Sequence, residues 1–274
     1  MLDFSFEGNE ETGSFELNRF LKKYRRILKS DCIIVSDNVL AYGNKATLQK
    51  SFRGATSIEV ILKTAKDDAH SGLFGGVTPN AAEELGKIVG NLTDFVGRKD
   101  IYSPNTKKYE ERRGLEPTVE VTGFISGYIG EGFKNSIPCK AVAKLNLRSA
   151  PTQNIEKLVS KLKKFILSRS PKYVKVNFVD NIAIVGMKFS LENKFSQRAG
   201  KILKEVYGSE LVVKNGGGTL PIAIGFRDIL KVPQVLIPLA NEDCNVHSAA
   251  ENISVEAVKK GLEFSYRFFS KNPV

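Results

Sequence analysis

The sequence predicts an α/β protein whose chain is interrupted by an inserted α+β module, and three observations carry that prediction. Short apolar runs of the kind buried in parallel sheets stand near both ends, at residues 32–37 and 233–239. Between them, from about residue 52 to residue 181, the pattern reads strand-helix-strand-strand-helix-strand, the order of an open-faced ferredoxin-like sandwich. After that stretch, helical periodicity returns at 194–206 and 255–269 around the second apolar run.

Taken in order, residues 2–6 alternate apolar and polar side chains, the period of a half-buried strand. A helix is expected over about 15–28, then the buried strand at 32–37. Residues 57–64 read as a strand, followed by a glycine-rich loop. The helix predicted over 80–92 aligns Ala82, Leu85, Ile88, Val89 and Leu92 on one face. Residues 102–116 carry many charges and no apolar period, so a polar linker is expected. Strands follow at 117–122 and 141–148, a helix at 155–167 and a strand at 173–179. In the last part, Phe195, Ala199, Ile202, Leu203 and Val206 form the inward face of a helix. The expected division is a discontinuous α/β domain, 1–51 with 182–274, around an inserted domain at 52–181.

Composition narrows the function. The 274 residues are 42% hydrophobic, enough for a sizeable core. No apolar run approaches the roughly 20 residues a membrane helix needs, and the N-terminus lacks the basic start and apolar stretch of a signal peptide. Cys32, Cys139 and Cys244 are an odd number at wide spacing, which argues against a disulfide framework and for a reducing, cytoplasmic setting. The net charge of +11 is spread along amphipathic helices with no aromatic-interleaved stripe, so it reads as a solvated surface and not as a nucleic-acid interface.

The chemistry-bearing residues gather where strands are expected to end, the place where α/β sheets collect ligands. Residues 2–6 run into Glu7, Glu10 and Glu11; the strand at 32–37 ends on Asp37; the strand at 233–239 runs into Glu242, Asp243, Cys244 and His247. Carboxylates and imidazole at convergent strand ends suit a hydrolytic zinc site. Each has a plainer reading: Glu10 and Glu11 also suit a helix N-terminus, and exposed loop carboxylates are ordinary. Cys244, three residues before His247, is a weak candidate for a soft ligand. His70, one of two histidines, sits in the loop Asp67-Asp68-Ala69-His70-Ser71-Gly72-Leu73-Phe74-Gly75-Gly76, too rich in glycine for a packed core segment.

Together these segments resemble the carnosinase and dipeptidase type of di-zinc metallopeptidase, metallopeptidase family twenty. Phe6-Glu7-Gly8-Asn9-Glu10-Glu11-Thr12-Gly13-Ser14 is similar to its acidic signature, Ser36-Asp37-Asn38 to the next motif, and Phe52-Arg53-Gly54 to the entry of its lid. His70-Ser71-Gly72, Lys134-Asn135-Ser136-Ile137-Pro138, Leu147-Arg148, Gly217-Gly218-Thr219-Leu220-Pro221 and His247-Ser248 follow in family order. The resemblance covers nearly the whole chain. It implies a zinc-peptidase-like α/β domain interrupted by a ferredoxin-like lid that mediates homodimerisation. It implies Glu10 as general base toward the attacking water and Glu11, Asp37 and His247 as metal ligands. His70, often contributed by the partner's lid, would stabilise the oxyanion, Arg148 would pair with the substrate carboxylate, and Asn135, Gly217, Gly218 and Thr219 would help bind the substrate. The implied cofactor is zinc, two per site, with manganese or cobalt as substitutes; the implied substrate is a small peptide or an N-acyl amino acid.

Departures accompany the matches. The family's histidine-x-aspartate motif and bridging aspartate precede its acidic signature and have no counterpart here, so three of five ligands are expected and the site is incomplete. Asn135 stands where the family has threonine, and Gly216 where glutamate is common. The resemblance leaves open a truncated exopeptidase, one half of a split enzyme completed by a separate polypeptide carrying the N-terminal half, or a non-catalytic dimerisation module.

Overall fold

The structure is a computed structural model of the 274-residue chain and describes residues 8–10, 13–14, 16–97 and 107–270. The strand expected at 2–6 and the candidate ligand Glu11 lie outside the described residues. The elements run α1 (Leu17–Tyr24), β1 (Ile33–Ser36), β2 (Thr47–Phe52), β3 (Gly54–Lys63), β4 (Ala69–His70), α2 (Ser71–Phe74), α3 (Ala81–Gly90), α4 (Leu92–Phe95) and α5 (Lys107–Leu115). They continue β5 (Thr118–Ser126), β6 (Ser136–Ile137), β7 (Lys140–Ser149), α6 (Ile155–Arg169), β8 (Lys175–Asp180) and β9 (Met187–Lys188). The chain closes with α7 (Lys194–Tyr207), β10 (Val212–Asn215), α8 (Pro221–Gly225), a π-helical turn at Phe226–Leu230, β11 (Gln234–Ile237) and α9 (Val255–Phe269). The fold is mixed α/β. It divides into two compact units, Met1–Phe52 with Ser103–Leu115 and Met187–Val274, and Arg53–Tyr102 with Glu116–Gly186.

The first unit is built on a sheet ordered β1-β11-β2-β10, with β9 also paired to β2. β1 runs parallel to β11 and β2 parallel to β10, but the two pairs meet antiparallel at Leu236 and Gln49. The sheet is therefore mixed. Leu48, Val235 and Ile237 pack with Ala199, Leu203, Phe264 and Phe268 of α7 and α9 in one core cluster. Val35, Phe52 and Leu236 pack with Leu220 and Ala223 in another. Asn193 caps α7 by accepting from the Phe195 and Ser196 amides, and Ser254 caps α9.

Two elements here depart from the sequence expectation for physical reasons. β2 escapes pattern reading because Thr47, Gln49 and Ser51 are buried polar residues in a central strand. Most of their polarity is absorbed locally, although Gln49 Oε1 finds no partner among the described residues. Gln49 Nε2 donates to the Ser51 carbonyl at 2.9 Å, and Ser51 Oγ donates to Asn215 Oδ1 at 2.8 Å. The supposed linker at 102–116 contains α5, which has no apolar face. Gly114 seats it, since a Cβ there would come within 2.6 Å of the Asn215 carbonyl oxygen on β10.

The second unit is a four-stranded antiparallel sheet ordered β5-β7-β3-β8. Ile58, Val60 and Leu62 of β3 and Ala143, Leu145 and Leu147 of β7 face one side, where Leu85 and Ile88 of α3 and Leu158, Leu162 and Ile166 of α6 cover them. Clean period-2 alternation in β3 and β7 made these strands legible. Asn80 and Asn154 accept amides at the starts of α3 and α6. β4 and β6 form a separate two-stranded ribbon.

Candidate functional site

In the first unit, the parallel pair β1 and β11 delivers two candidate segments to one end of the sheet. The Asp37 amide donates to the Ile237 carbonyl at 3.3 Å, and Val39 bridges Ala240 in parallel. Asp37 is exposed at this rim, and its Oδ1 accepts the Asn38 amide at 2.7 Å. Asn38 takes φ +83, a left-handed conformation that asparagine tolerates better than most residues. The two loops are then tied reciprocally. Gly43 N–H donates to Glu242 Oε2 at 2.8 Å, and Glu242 N–H donates to Asn44 Oδ1 at 2.7 Å.

The loop that carries His247 hangs on buried Asn241. Its Nδ2 donates to Asp243 Oδ1 at 2.7 Å and Asn252 Oδ1 at 3.2 Å, while its Oδ1 accepts the Ser254 amide at 2.8 Å. The Asn241 bond holds the Asp243 carboxyl below the usual range. Cys244 is buried under this loop. His247 is exposed in a tight turn with φ +63, just after Asn245 at φ +52. Glu10 is half-buried where the chain enters α1; its carbonyl accepts the Gly13 amide at 2.9 Å, and Ser14 N–H donates to the Asn9 carbonyl at 3.0 Å.

Asp37 and His247 have the right donor chemistry for a divalent metal. Among the described residues, however, no group of three or more His, Cys, Asp or Glu comes together that could hold one. These residues do not by themselves fit a two-metal centre.

The glycine loop follows β10, which runs opposite to β1 and β11, so it leaves the sheet from the end away from Asp37. Gly216 is fixed by packing. Its N–H donates to the Ser51 carbonyl at 2.7 Å, and a Cβ would lie 2.2 Å from Gln49 Nε2 and 2.9 Å from the Ser51 oxygen. A glutamate has no room at this position. Gly217 lies against α5, where a Cβ would meet Arg113 Cγ at 2.9 Å, and Gly218 opens on free space.

Two cations here were missed by sequence reading. Lys214 Nζ donates to the carbonyls of Val39 at 3.1 Å and Leu40 at 3.4 Å, so it braces the backbone just past Asp37. Burial, and then Arg113, lowers the Lys214 pKa. Arg113 itself pairs with Glu110 at 2.7 Å and lies over the Tyr109 ring. The signal for Lys214 was a lone charge inside an apolar strand; for Arg113 the charge-rich, aperiodic stretch offered none.

In the second unit, His70 and Asn135 come together on the β4–β6 ribbon. His70 pairs with Ser136, and Ser71 N–H donates to the Asn135 carbonyl at 3.2 Å. His70 Nδ1 accepts the Gly72 amide at 3.1 Å, which assigns the ring proton of the neutral imidazole to Nε2. Asp68 anchors the ribbon by accepting from Cys139 N–H at 2.9 Å and Ser136 Oγ at 3.1 Å; the Cys139 amide bond is the main reason its carboxyl is held below the usual range. Arg148 is half-buried between Ala55 and Thr118 near the opposite end of β7, with Nε donating to Asn146 Oδ1 at 3.2 Å. Burial lowers the Arg148 pKa. Lys140, at the ribbon end of β7, is eight strand residues from Arg148, about 26 Å at ~3.3 Å per residue. The unit therefore does not bring His70 and Arg148 together.

Comparison with known proteins agrees with this architecture. Residues 52–174 match the peptidase dimerisation domain. The Cys-Gly metallodipeptidase DUG1 of Saccharomyces cerevisiae is 25% identical over 98% of this chain, and human Beta-Ala-His dipeptidase is 26% identical over 98%. The chain spans 65% and 61% of the lengths of these two relatives. A metallo-carboxypeptidase from Sulfolobus solfataricus shares the fold with a TM-score of 0.78 at 24% identity, over 96% of this chain and 68% of that one. No helix among the described residues is long and apolar enough to cross a membrane.

Proposed function

We propose that this chain, whose residues 52–174 match the peptidase dimerisation domain and whose relatives include metallodipeptidases, is akin to the family-twenty metallopeptidases and is a metal-dependent exopeptidase, or part of one, acting on a dipeptide or a small N-acyl amino acid. The observation that carries this reading is the shared strand end: Asp37 and the His247 loop leave neighbouring parallel strands and are bonded to each other through residues 43, 44 and 242. That is where an α/β sheet collects its ligands.

In this reading residues 1–51 and 182–274 form the metal-binding part and 52–181 the lid. Glu11, Asp37 and His247 contribute ligands for zinc, manganese or cobalt, and further ligands must come from beyond the described residues. A bound divalent cation would supply Lewis acidity and an activated water. The chain's own residues do the rest. Glu10 accepts the proton of the attacking water, and His70 offers its Nε2–H to the developing oxyanion. Arg148 grips the substrate carboxylate through its fork, with Asn135 as a further contact. The expected contacts at Gly217, Gly218 and Thr219 follow β10 at the end of the sheet away from Asp37 and are not assigned to this rim. A dipeptide spans only about 7 Å, against about 26 Å along β7. One site therefore takes Arg148 from one chain and His70 from a homodimeric partner. The cytoplasm, where Cys32, Cys139 and Cys244 stay as free thiols, is the compartment this reading assigns.

The second reading is one half of a split enzyme or a non-catalytic dimerisation module, supported by the match of residues 52–174 to the peptidase dimerisation domain. Metal content and dipeptide hydrolysis, with and without added zinc, manganese or cobalt, separate the two. The exopeptidase reading expects bound metal and turnover, with Glu10→Ala slowing turnover by about 10²-fold or more. Mixing inactive His70→Ala and Arg148→Ala chains should restore roughly a quarter of the sites, because each mixed dimer holds one intact site. Unchanged turnover in Glu10→Ala would sink the assignment. Negligible metal and no turnover would move the chain to the second reading.

A further inference from the structure

The segment that carries His70 is held with little help from burial. Residues 65–68 and 72–77 are exposed, and Ala69 and Ser71 are only half-buried. The large apolar side chains that could anchor it, Leu73 and Phe74, are 74% and 46% exposed. β4 and β6 contribute two registered pairs, Ala69 with Ile137 and His70 with Ser136. A two-stranded ribbon that short has no stability of its own in water, so directional bonds must hold it.

Those bonds converge on Asp68, two residues before His70. Its Oδ1 accepts the Cys139 amide at 2.9 Å and its Oδ2 accepts the Ser136 hydroxyl at 3.1 Å. One carboxylate therefore grips the first residue of β6 and the chain just past its end. That stretch is tied in turn to the body of the unit. Thr64 N–H donates to the Cys139 carbonyl at 2.9 Å, and Ala81 N–H donates to the Pro138 carbonyl at 3.0 Å. On the His70 side, Ser71 N–H donates to the Asn135 carbonyl at 3.2 Å and Gly72 N–H to His70 Nδ1 at 3.1 Å. Among the described residues, Asp68 is the charged member of this series, and bonds to an ionised acceptor are the stronger kind.

We propose that Asp68 is a positioning residue for His70: by clamping β6 it fixes the ribbon on which the imidazole sits, with Nδ1 on the Gly72 amide and Nε2–H left to donate. The proposal rests on the reading of His70 as the oxyanion donor.

The test uses the full chain and three variants. Asp68→Ala removes both acceptors. Asp68→Asn keeps an oxygen for the Cys139 amide and an amide group that the Ser136 hydroxyl can bond, without the charge. Asp67→Ala makes the same change of charge one residue away, at another exposed carboxylate. The chain has two histidines, so the imidazole nitrogen resonances of His70 are assigned by their loss in His70→Ala. With the ring neutral, the parent should show its proton fixed on Nε2. Asp68→Ala should move both nitrogens toward the averaged positions of a ring exchanging between tautomers. It should also speed amide exchange at Gly72 and Cys139 by about 10-fold or more, with the Leu145 amide in β7 unchanged. Asp68→Asn should stay close to the parent, and Asp67→Ala should match it. In dipeptide hydrolysis, Asp68→Ala should lower kcat by about 10- to 100-fold with KM held within about twofold.

Ring resonances and Gly72 exchange unmoved in Asp68→Ala overturn the proposal. So does acceleration that reaches β3 and β7 or a fall of several degrees in melting temperature, since Asp68 would then support the whole unit. An equal effect of Asp67→Ala would assign the result to net charge and overturn it as well. The two readings fail separately. A ring released in Asp68→Ala with kcat unchanged supports the positioning and sinks His70 as the oxyanion donor, whereas a lowered kcat with the ring unmoved overturns the positioning.

Discussion

The two units solve the same packing problem with different materials. In the second unit the central strands β3 and β7 bury aliphatic side chains on alternate positions beneath two helices. In the first, the central strand β2 buries Thr47, Gln49 and Ser51, and the neighbouring β11 opens on buried Gln234. The aliphatic unit holds together by area removed from water, which is tolerant of direction. The polar interior is held by specific partners, although Gln49 Oε1 and Gln234 Oε1 find none among the described residues. A buried polar group that loses its partner costs its full desolvation. Directional bonding is what a rim needs if it must present Asp37 and the His247 loop in fixed positions.

The contrast predicts different responses to substitution. The largest effect belongs to the aliphatic unit: Leu145→Ala removes a fully buried side chain from the middle of β7 and should cost about 2–5 kcal/mol in urea denaturation. A loss below about 1 kcal/mol would mean that the cluster around it repacks freely, and the contrast would fail on that side. Asn241→Ala acts through direction instead. It strips three hydrogen bonds from the loop between β11 and α9 and should cost about 1–3 kcal/mol. Its distinguishing mark is local: amide exchange should accelerate at Ser254 and through residues 241–252 while the β3 and β7 amides stay protected. Uniform acceleration in both units would show that the loop is not separately held.

The same contrast decides what the sequence could show. Apolar patterning made the four long strands and the two main helices of the second unit readable in order, but not the short β4–β6 ribbon or the one-turn helices α2 and α4. β1 and β11 were readable as apolar runs, and with them the approach of Asp37 to the loop after Ile237. β2 was not, because Gln49 and Ser51 find their partners through the Ser51 carbonyl and Asn215, contacts that no local period encodes. α5 was hidden for a related reason, being seated through Gly114 and having no apolar face. Lys214 could be flagged as a charge in an apolar strand, but its reach to the Val39 and Leu40 carbonyls spans more than 170 residues of sequence. Residues that act through distant backbone leave the faintest trace in a sequence.

The smallest predicted effect probes how complete the polar interior is. Tyr207, at the end of α7, has a buried hydroxyl with no hydrogen-bond partner among the described residues, and Lys260 lies over its ring. Burial first, and Glu256 second, push its pKa from 10.0 up to about 12. The folded state thus holds the phenolic proton after the unfolded chain has released it. The stabilisation from that retained proton is complete below pH 10 and is lost as the pH rises toward 12, with a slope of at most about 1.4 kcal/mol per pH unit. Tyr207→Phe removes both the orphaned hydroxyl and this titration. At pH 7 it should be neutral or stabilising by up to about 1 kcal/mol, and above pH 10 it should lose stability less steeply than the parent. Thermal melts between pH 7 and 11.5 check both limbs. Parallel alkaline limbs in the two proteins would place the hydroxyl in contact with solvent. A clear destabilisation at pH 7 would instead reveal a hydrogen-bond partner, and the first unit's polar interior would then be as fully satisfied at Tyr207 as it is at Asn241.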